Sequence, residues 1–243
     1  AKSVPIIGNK IILPNPEAYE HFSKSWDPYL KGRYKEVIEL CEKTLSIDPK
    51  HLDAYRRLGN TYEMIGDPDN ALKQYKLWEK IAYDHNDPSN LAWALINIGR
   101  MYRLKDDHEK ELYYYNKSLE ISLKAKNDMN TARAYNALGN WYYNKKLYKE
   151  AKENFLKAAE INDSKIYIYN HKYNLAGNFL AIGKVFSAMG DYEKAEKSYK
   201  NSLAFYEELE AKVGIAENYC LLAELALKDR QRDVAIDNYK KAL

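Results

Sequence analysis

A small residue that follows Leu or Ile recurs about every 40 residues along most of the chain. These pairs are Leu58-Gly59, Ile98-Gly99, Leu138-Gly139, Ile182-Gly183 and Leu222-Ala223. An aromatic residue stands 16 positions after each small residue, at Tyr75, Tyr115, Phe155, Tyr199 and Tyr239. A sequence that repeats at this period does not build one central core. It predicts supersecondary units that stack on their neighbours.

The residues between these markers predict two helices in each unit. Apolar positions recur at three and four residues, which is the helical period. Gly66-Asp67 and Gly190-Asp191 are typical of one helix ending and the next beginning. A small residue in the middle of the first helix lets the second helix approach closely, and neither helix could bury its apolar face alone. The sequence therefore predicts an all-α fold of helix–turn–helix units.

Two stretches resemble the tetratricopeptide repeat closely. They run from Leu138 to Tyr142, read LGNWY, and from Met189 to Ala195, read MGDYEKA. The resemblance implies a right-handed α-solenoid of about six repeats. The period here is about 40 residues rather than the usual 34, so the sequence resembles a long-period type. We expect the added residues in the second helix or in the link that follows it.

The resemblance places the repeats over residues 16–243, after an extended linker segment at residues 1–15. The predicted units are about 17–50, 51–87, 88–127, 128–165, 170–211 and 212–243. Because the chain opens with Ala1 and ends inside an amphipathic pattern, we expect it to be a fragment of a longer protein.

Several local departures from the repeat are visible. Pro28 falls inside a first helix and predicts a break there. Trp78 and Glu111 stand where the pattern has Ala, and Asp106 where it has Gly, so we expect a wider packing gap at Trp78. Residues 162–172 carry four extra positions and predict an irregular link.

In this family the first helix of each unit lines a concave groove. By helical geometry, the groove positions lie six, three and two residues before each small residue, and one and four after it. The candidate peptide-binding residues at these positions are Arg56, Arg57, Asn60, Asn97, Arg100, Arg103, Arg133, Asn136, Asn140 and Lys184. Asn both donates to and accepts from a peptide backbone, and Arg binds carboxylate through a bidentate fork. We therefore expect a partner protein or peptide that is acidic or ends in a free carboxylate.

A sharper resemblance is to the carboxylate clamp of chaperone-binding family members. Its places hold Arg56, Asn60, Asn97 and Arg133 here, but Ala137 carries no charge where the clamp has Arg. A generic polar groove remains the preferred alternative to a true clamp. A self-assembling scaffold is a second alternative, because the last predicted helix shows Val234, Ile236 and Tyr239 with nothing to cover them.

Other functions are not indicated by the sequence. The five histidines form no metal-binding spacing, and no phosphate loop or nucleophile motif is present, so we expect no enzyme, metal or cofactor. A catalytic regulator resembling repeat-containing bacterial phosphatases would need an additional helical bundle. A net charge of +3 does not favour nucleic acid, and no apolar run is long enough for a membrane span. Two distant cysteines, Cys41 and Cys220, suggest reduced thiols and a cytoplasmic location.

Overall fold

The computed structural model describes the backbone of residues 6–7, 10–11, 15–164 and 169–243. Over these ranges it contains thirteen helices and two very short strands. The chain divides into two compact units, Ala1–Lys117 (unit 1) and Ser118–Leu243 (unit 2), with the boundary inside a helix.

The elements of unit 1 are β1 (Ile6–Ile7), β2 (Lys10–Ile11), α1 (Pro16–Lys24), α2 (Trp26–Leu30), α3 (Tyr34–Ile47), α4 (Leu52–Met64), α5 (Pro68–Asp84), α6 (Pro88–Leu104) and the first part of α7 (His108–Lys124). Unit 2 holds the end of α7, then α8 (Asp128–Asn144), α9 (Tyr148–Asp163), α10 (Tyr169–Ala188), α11 (Tyr192–Glu208), α12 (Lys212–Lys228) and α13 (Arg232–Ala242). The two strands pair antiparallel within the predicted linker segment, most of which lies outside the described residues.

Nine of the turns between the described helices share one backbone design. In each of them a residue with positive φ follows the preceding helix, at Gly32, Gly66, Asn86, Asp106, Lys126, Lys146, Gly190, Glu210 and Arg230. At the third of these turns, the amide of Asn86 donates to the Tyr83 carbonyl and that of Asp87 to the Ala82 carbonyl. This closes the helix as a Schellman motif. The Asp87 carboxylate then accepts from the amide of Asn90 and caps the next helix.

The added length of the repeat lies in the helices. Helices α5 to α8 each span 17 residues, whereas α3 spans 14 and α4 spans 13. The links between α5, α6, α7 and α8 stay three residues long. From α5 to α8, the expected longer second helix is found in α5 and α7, the first helices α6 and α8 are longer as well, and the links are not lengthened.

Each central glycine accepts an aromatic ring from the second helix of its pair. A methyl group on Gly99, Gly139 or Gly183 would lie 2.6, 2.7 or 2.5 Å from the ring that covers it, and one on Gly59 would overlap the ring of Tyr75. The rings belong to Tyr115, Phe155 and Tyr199 in the other three pairs. In the last pair Ala223 replaces the glycine, and Tyr239 stays 39% exposed. The recurring small residue is thus a notch that fixes the distance between paired helices.

The predicted departures have structural consequences. The first helix is broken at Ser25, between α1 and α2, because Pro28 has no amide hydrogen for the Lys24 carbonyl. Trp78 is fully buried, and its ring meets Trp93 edge-on at a centroid distance of 5.6 Å. The buried Glu111 carboxylate lies 3.0 Å from Nδ1 of His108. The core of the predicted irregular link, residues 165–168, lies outside the described residues.

Candidate functional site

Helices α4 and α6 bring several predicted groove residues together in unit 1. We call this surface the unit 1 face and define it by Arg56, Asn60 and Glu63 on α4 and Arg100 and Arg103 on α6. The predicted Asn97, also on α6, is only 4% exposed, so it supports this face from the interior and is removed from the candidate binding set. Both helices pack against α5. Equivalent positions of the two first helices therefore lie on the same side of α5.

An inter-helix ion pair lies at the centre of the unit 1 face. Arg100 Nη2 donates to Glu63 Oε2 at 2.6 Å and to Asn97 Oδ1 at 2.8 Å. The Tyr75 hydroxyl donates to Asn60 Oδ1 at 2.7 Å and lies 3.2 Å from Glu63 Oε2. These contacts connect the predicted residues Asn60, Asn97 and Arg100 to one another through Tyr75 and Glu63, two residues that the list of candidate binding residues did not include.

The sequence contains a signal for each of these two residues, Tyr75 and Glu63. Tyr75 is the ring that fills the Gly59 notch, and its hydroxyl emerges on the far side of α4. Glu63 occupies the groove position four residues after Gly59, one helical turn from Asn60. A search for opposite charges at groove positions of successive repeats would have paired Glu63 with Arg100.

Burial and the neighbouring Glu63 charge shift the pKa values of two side chains in this cluster, Arg100 and Tyr75. Desolvation disfavours the charged form of Arg100, but the nearby Glu63 carboxylate outweighs it and raises the pKa of Arg100 above its usual value. Desolvation also raises the pKa of Tyr75, and the Glu63 charge raises it further. Both shifts favour the charged guanidinium of Arg100 and the neutral phenol of Tyr75.

Arg56 is also paired within its own unit. Its Nη2 donates to Asp53 Oδ1 at 2.7 Å, and its guanidinium lies 4.7 Å from the centroid of the Trp93 ring. Nε is buried in both Arg56 and Arg100 and has no hydrogen-bond acceptor among the described residues. Each guanidinium is therefore held in place while part of its hydrogen-bonding capacity stays unused.

Arg57 points to the interior rather than to the unit 1 face. Its Nη1 donates to Ser25 Oγ at 2.5 Å and to the Phe22 carbonyl at 3.2 Å, where the helix break leaves backbone groups without helical partners. The guanidinium covers the rings of Phe22 and Trp26. Because burial leaves 8% of Arg57 exposed and lowers its pKa, we remove it from the candidate binding set.

Arg103 is the uncompensated cation of the unit 1 face. It is half-buried, and among the described side chains it has neither an ion pair nor a hydrogen bond. Arg56 and Arg100 each have a carboxylate partner, which Arg103 lacks among the described side chains.

Unit 2 uses its predicted residues differently. Asn136 accepts a hydrogen bond from the Asn178 amide, and Asn178 in turn accepts from Asn162 Nδ2 at 2.8 Å. Nδ1 of the buried His171 lies 3.0 Å from Asn162 Oδ1. We call these hydrogen-bonded side chains the amide network; it joins α8, α9 and α10 and ties the partly buried Asn136 to the interior. The sequence contained no periodic signal for it.

The remaining predicted residues of unit 2 lie nearer to solvent. Arg133 Nη1 donates to Asn130 Oδ1 at 3.3 Å, and Asn140 is exposed with its amide on the Asn136 carbonyl. Lys184 pairs with Glu217 at 2.7 Å, which connects α10 and α12. Lys184 is therefore charge-compensated, like Arg56 and Arg100.

Other kinds of site were sought over the same residues. The described part of the chain contains no group of three His, Cys, Asp or Glu side chains placed to hold a metal ion. Within the described ranges, no helix has both the length and the apolar character required to cross a bilayer.

These helix pairs, with notched first helices that carry polar side chains, define a helical-repeat protein of the solenoid class. The family model described as tetratricopeptide repeat matches residues 29–95, 90–164 and 174–243. The chain belongs to the tetratricopeptide-repeat family, whose members generally mediate protein–protein interactions and typically act as scaffolds rather than enzymes. The predicted family and the predicted all-α solenoid fold are confirmed.

Individual relatives are more distant. Protein O-mannosyl-transferase TMTC1 of Homo sapiens is 29% identical over 150 residues, which cover 62% of this chain and 14% of that protein. Photosystem I assembly protein Ycf3 of Acaryochloris marina is 30% identical over 98 residues, or 40% of this chain and 57% of that protein. The chain thus covers less than two thirds of either relative. The solved apo form of RapI has a TM-score of 0.71 at 14% identity, covering 93% of this chain and 96% of RapI, and supports the fold alone.

Proposed function

We propose that this chain is a binding module that holds a partner polypeptide against its first-helix faces. The observation that carries the proposal is the unit 1 face, where amides, a carboxylate and guanidinium groups from α4 and α6 meet within hydrogen-bonding distance. Donors and acceptors in close alternation match the alternating groups of a peptide main chain.

The partner we propose is acidic, either through side chains or through a C-terminal carboxylate. Arg103 supports this choice in unit 1, because no carboxylate among the described residues compensates its charge. Arg133 and the exposed Asn140 offer further donors in unit 2. The uncharged Ala137 leaves the carboxylate clamp one contact short, so we favour acidic side chains over a chain end.

Peptide arrays test this proposal. Wild-type protein is applied to peptides rich in Asp and Glu, to the same peptides with Asn and Gln, and to both sets with free or amidated C-termini. We expect preference for the acidic set and little effect of amidation. Arg103→Glu should weaken acidic binding about tenfold, because it replaces an attraction with a repulsion of similar size.

The matched control is Lys73→Glu, which makes the same charge change on an exposed position of the second helix α5. It should leave binding within about twofold, since solvent screens a distant surface charge. Equal binding of acidic and neutral peptides, or equal loss in both variants, would overturn the proposed acidic site.

Self-assembly is a second candidate, favoured by α13. Val234 and Ile236 are both about half exposed on this helix, and Tyr239 is exposed beside them. If this surface pairs with a second copy, light scattering should show mass rising with concentration, and Ile236→Glu should abolish the rise. A wild-type mass that does not change with concentration would exclude this candidate.

We further propose that the chain acts without catalysis of its own, as predicted from its lack of catalytic motifs. Phosphatase and nucleotide-hydrolysis assays that show turnover would contradict this. The cytoplasmic location predicted from the two unpaired cysteines stays a prediction.

A further inference from the structure

The carboxylate of Glu63 occupies the place on Arg100 that an acidic ligand would use. We propose that Glu63 is a specificity-determining residue of the unit 1 face: it competes with acidic ligand groups for Arg100 and directs them to Arg103. This inference rests on the proposed function, since it concerns how the same face discriminates between peptides.

The geometry of the pair makes this competition direct. Glu63 Oε2 accepts from Arg100 Nη2 at 2.6 Å and lies 3.2 Å from the Tyr75 hydroxyl. The two side chains come from different helices, α4 and α6, so they meet only because the repeats are stacked. A ligand carboxylate that approached Arg100 would therefore encounter the negative charge of Glu63 beside it.

Displacing Glu63 carries a penalty that depends on its burial. The Glu63 side chain is 25% exposed and that of Arg100 is 35% exposed, so both are partly withdrawn from water. Removing one partner of such a pair leaves the other charge poorly solvated. An acidic ligand must offset this loss before it gains anything from Arg100, whereas at Arg103 it displaces no carboxylate of the described chain.

A main-chain amide meets no such penalty. A carboxylate has several acceptor positions, so Glu63 can keep Arg100 and still accept from a peptide N–H. Asn60, held by the Tyr75 hydroxyl, adds an amide on the same helix. The ligand class for this face is thus a peptide whose main chain contacts Asn60 and Glu63 and whose acidic side chain pairs with Arg103.

Glu63→Gln tests the inference, because glutamine keeps the size and one carbonyl oxygen but removes the charge. We expect its affinity for Asp- and Glu-rich peptides to rise about tenfold, since Arg100 becomes available to the ligand. Affinity for the Asn- and Gln-substituted peptides should stay within about twofold, because glutamine keeps a carbonyl oxygen for the main-chain N–H and these peptides carry no acidic side chain for Arg100.

Unit 1 offers a closely matched control. Glu79 pairs with Lys117 at 3.4 Å across α5 and α7, and these side chains are 21% and 38% exposed. Glu79→Gln therefore removes the same charge from a similar inter-helix pair on the second helices. It should change neither peptide class by more than about twofold.

The outcomes separate the two proposals. A gain in Glu63→Gln that Glu79→Gln matches would reflect net charge alone and would overturn the role of Glu63. Peptide binding that is sensitive to Arg103→Glu but indifferent to Glu63→Gln would overturn the inference and leave the proposed function standing. Failure of every variant to bind any peptide, with helical content intact, would overturn both.

Discussion

The two units are built from the same kind of helix pair, which we call the shared framework, but different polar side chains connect the helices in each unit. Unit 1 presents charged residues in partly exposed ion pairs, Arg56 with Asp53 and Arg100 with Glu63. Unit 2 instead connects its helices through neutral amides that are buried, centred on Asn178. Partly exposed ion pairs contribute modest stability, and a ligand can compete for their members. Buried amides contribute order and are costly to disturb. For this reason we place the proposed recognition surface on unit 1.

The shared framework should respond most strongly to mutation. Gly59→Ala in unit 1 and Gly183→Ala in unit 2 place a methyl group against the buried rings of Tyr75 and Tyr199. In an open helix this change stabilises by about 1 kcal/mol. Here we expect destabilisation of about 2 to 3 kcal/mol, because a close-packed ring cannot yield. Denaturant unfolding of the full chain, followed by helical content, measures it.

Each unit provides its own control for this prediction. Gly66 and Gly190 end the helices that contain Gly59 and Gly183, and a methyl group there meets no atom within 4 Å. Both have positive φ, so Gly→Ala costs only the backbone strain of about 1 kcal/mol. If the notch variants lose no more stability than the turn variants, the rings are mobile and the shared framework is looser than described.

The next largest loss of stability should come from a substitution in the amide network, which only unit 2 contains among the described residues. Asn178→Ala removes the acceptor for the buried Asn162 and the donor for the partly buried Asn136, so two amide groups lose their partners. We expect a loss of about 2 kcal/mol. Asn116→Ala, an exposed position on α7, should cost less than about 0.5 kcal/mol. Equal costs in the two variants would mean that the amide network adds no stability to unit 2.

Tyr75→Phe should cost about 1 kcal/mol, because Asn60 and Glu63 lose the hydroxyl between them. The reciprocal change in unit 2, Phe155→Tyr, adds a hydroxyl to a ring that is 2% exposed and should cost about 1 to 3 kcal/mol, because burying an unpaired hydroxyl is unfavourable. Unfolding at neutral pH measures both. A cost below about 0.5 kcal/mol in Phe155→Tyr would show that the unit 2 notch also leads to a polar site.

Measuring stability at alkaline pH provides a further test of the role of the Tyr75 hydroxyl. The folded-state pKa of Tyr75 is raised by burial and by Glu63, whereas the unfolded value is near 10. The stability that depends on the neutral phenol is therefore fully present below about pH 10 and is lost as the unfolded chain ionises above it. Wild type should lose stability more steeply than Tyr75→Phe above about pH 10, and parallel curves would contradict the buried, neutral state of Tyr75.

The framework could be predicted because it repeats. Gly59, Gly99, Gly139 and Gly183 recur with their aromatic partners, since every pair solves the same packing problem. The turns could be predicted only in part from the sequence. Lys126 and Glu210 adopt positive φ, although glycine is the residue that usually indicates this conformation.

The polar surface could be predicted only in part. Helical geometry placed Arg100 and Asn97 on one face, but pairing depends on residues supplied by other helices. Arg57 is buried because the break at Ser25, more than thirty residues earlier, needs its donors. Asn136 turns to an amide 42 positions away. Such contacts do not repeat along the chain, so no periodic sequence pattern predicts them.

The smallest expected effect concerns the second ion pair of unit 1. Asp53→Asn removes the partner of Arg56, which Trp93 still holds from the other side. Stability should change by about 0.5 kcal/mol or less, because an ion pair within one helix is screened by water. Acidic peptides should bind about twofold more tightly, a smaller gain than Glu63→Gln gives, since the Asp53 carboxylate is more exposed than that of Glu63 and competes less. A larger gain in Asp53→Asn would identify Arg56, rather than Arg100, as the cation that the chain keeps from its ligands.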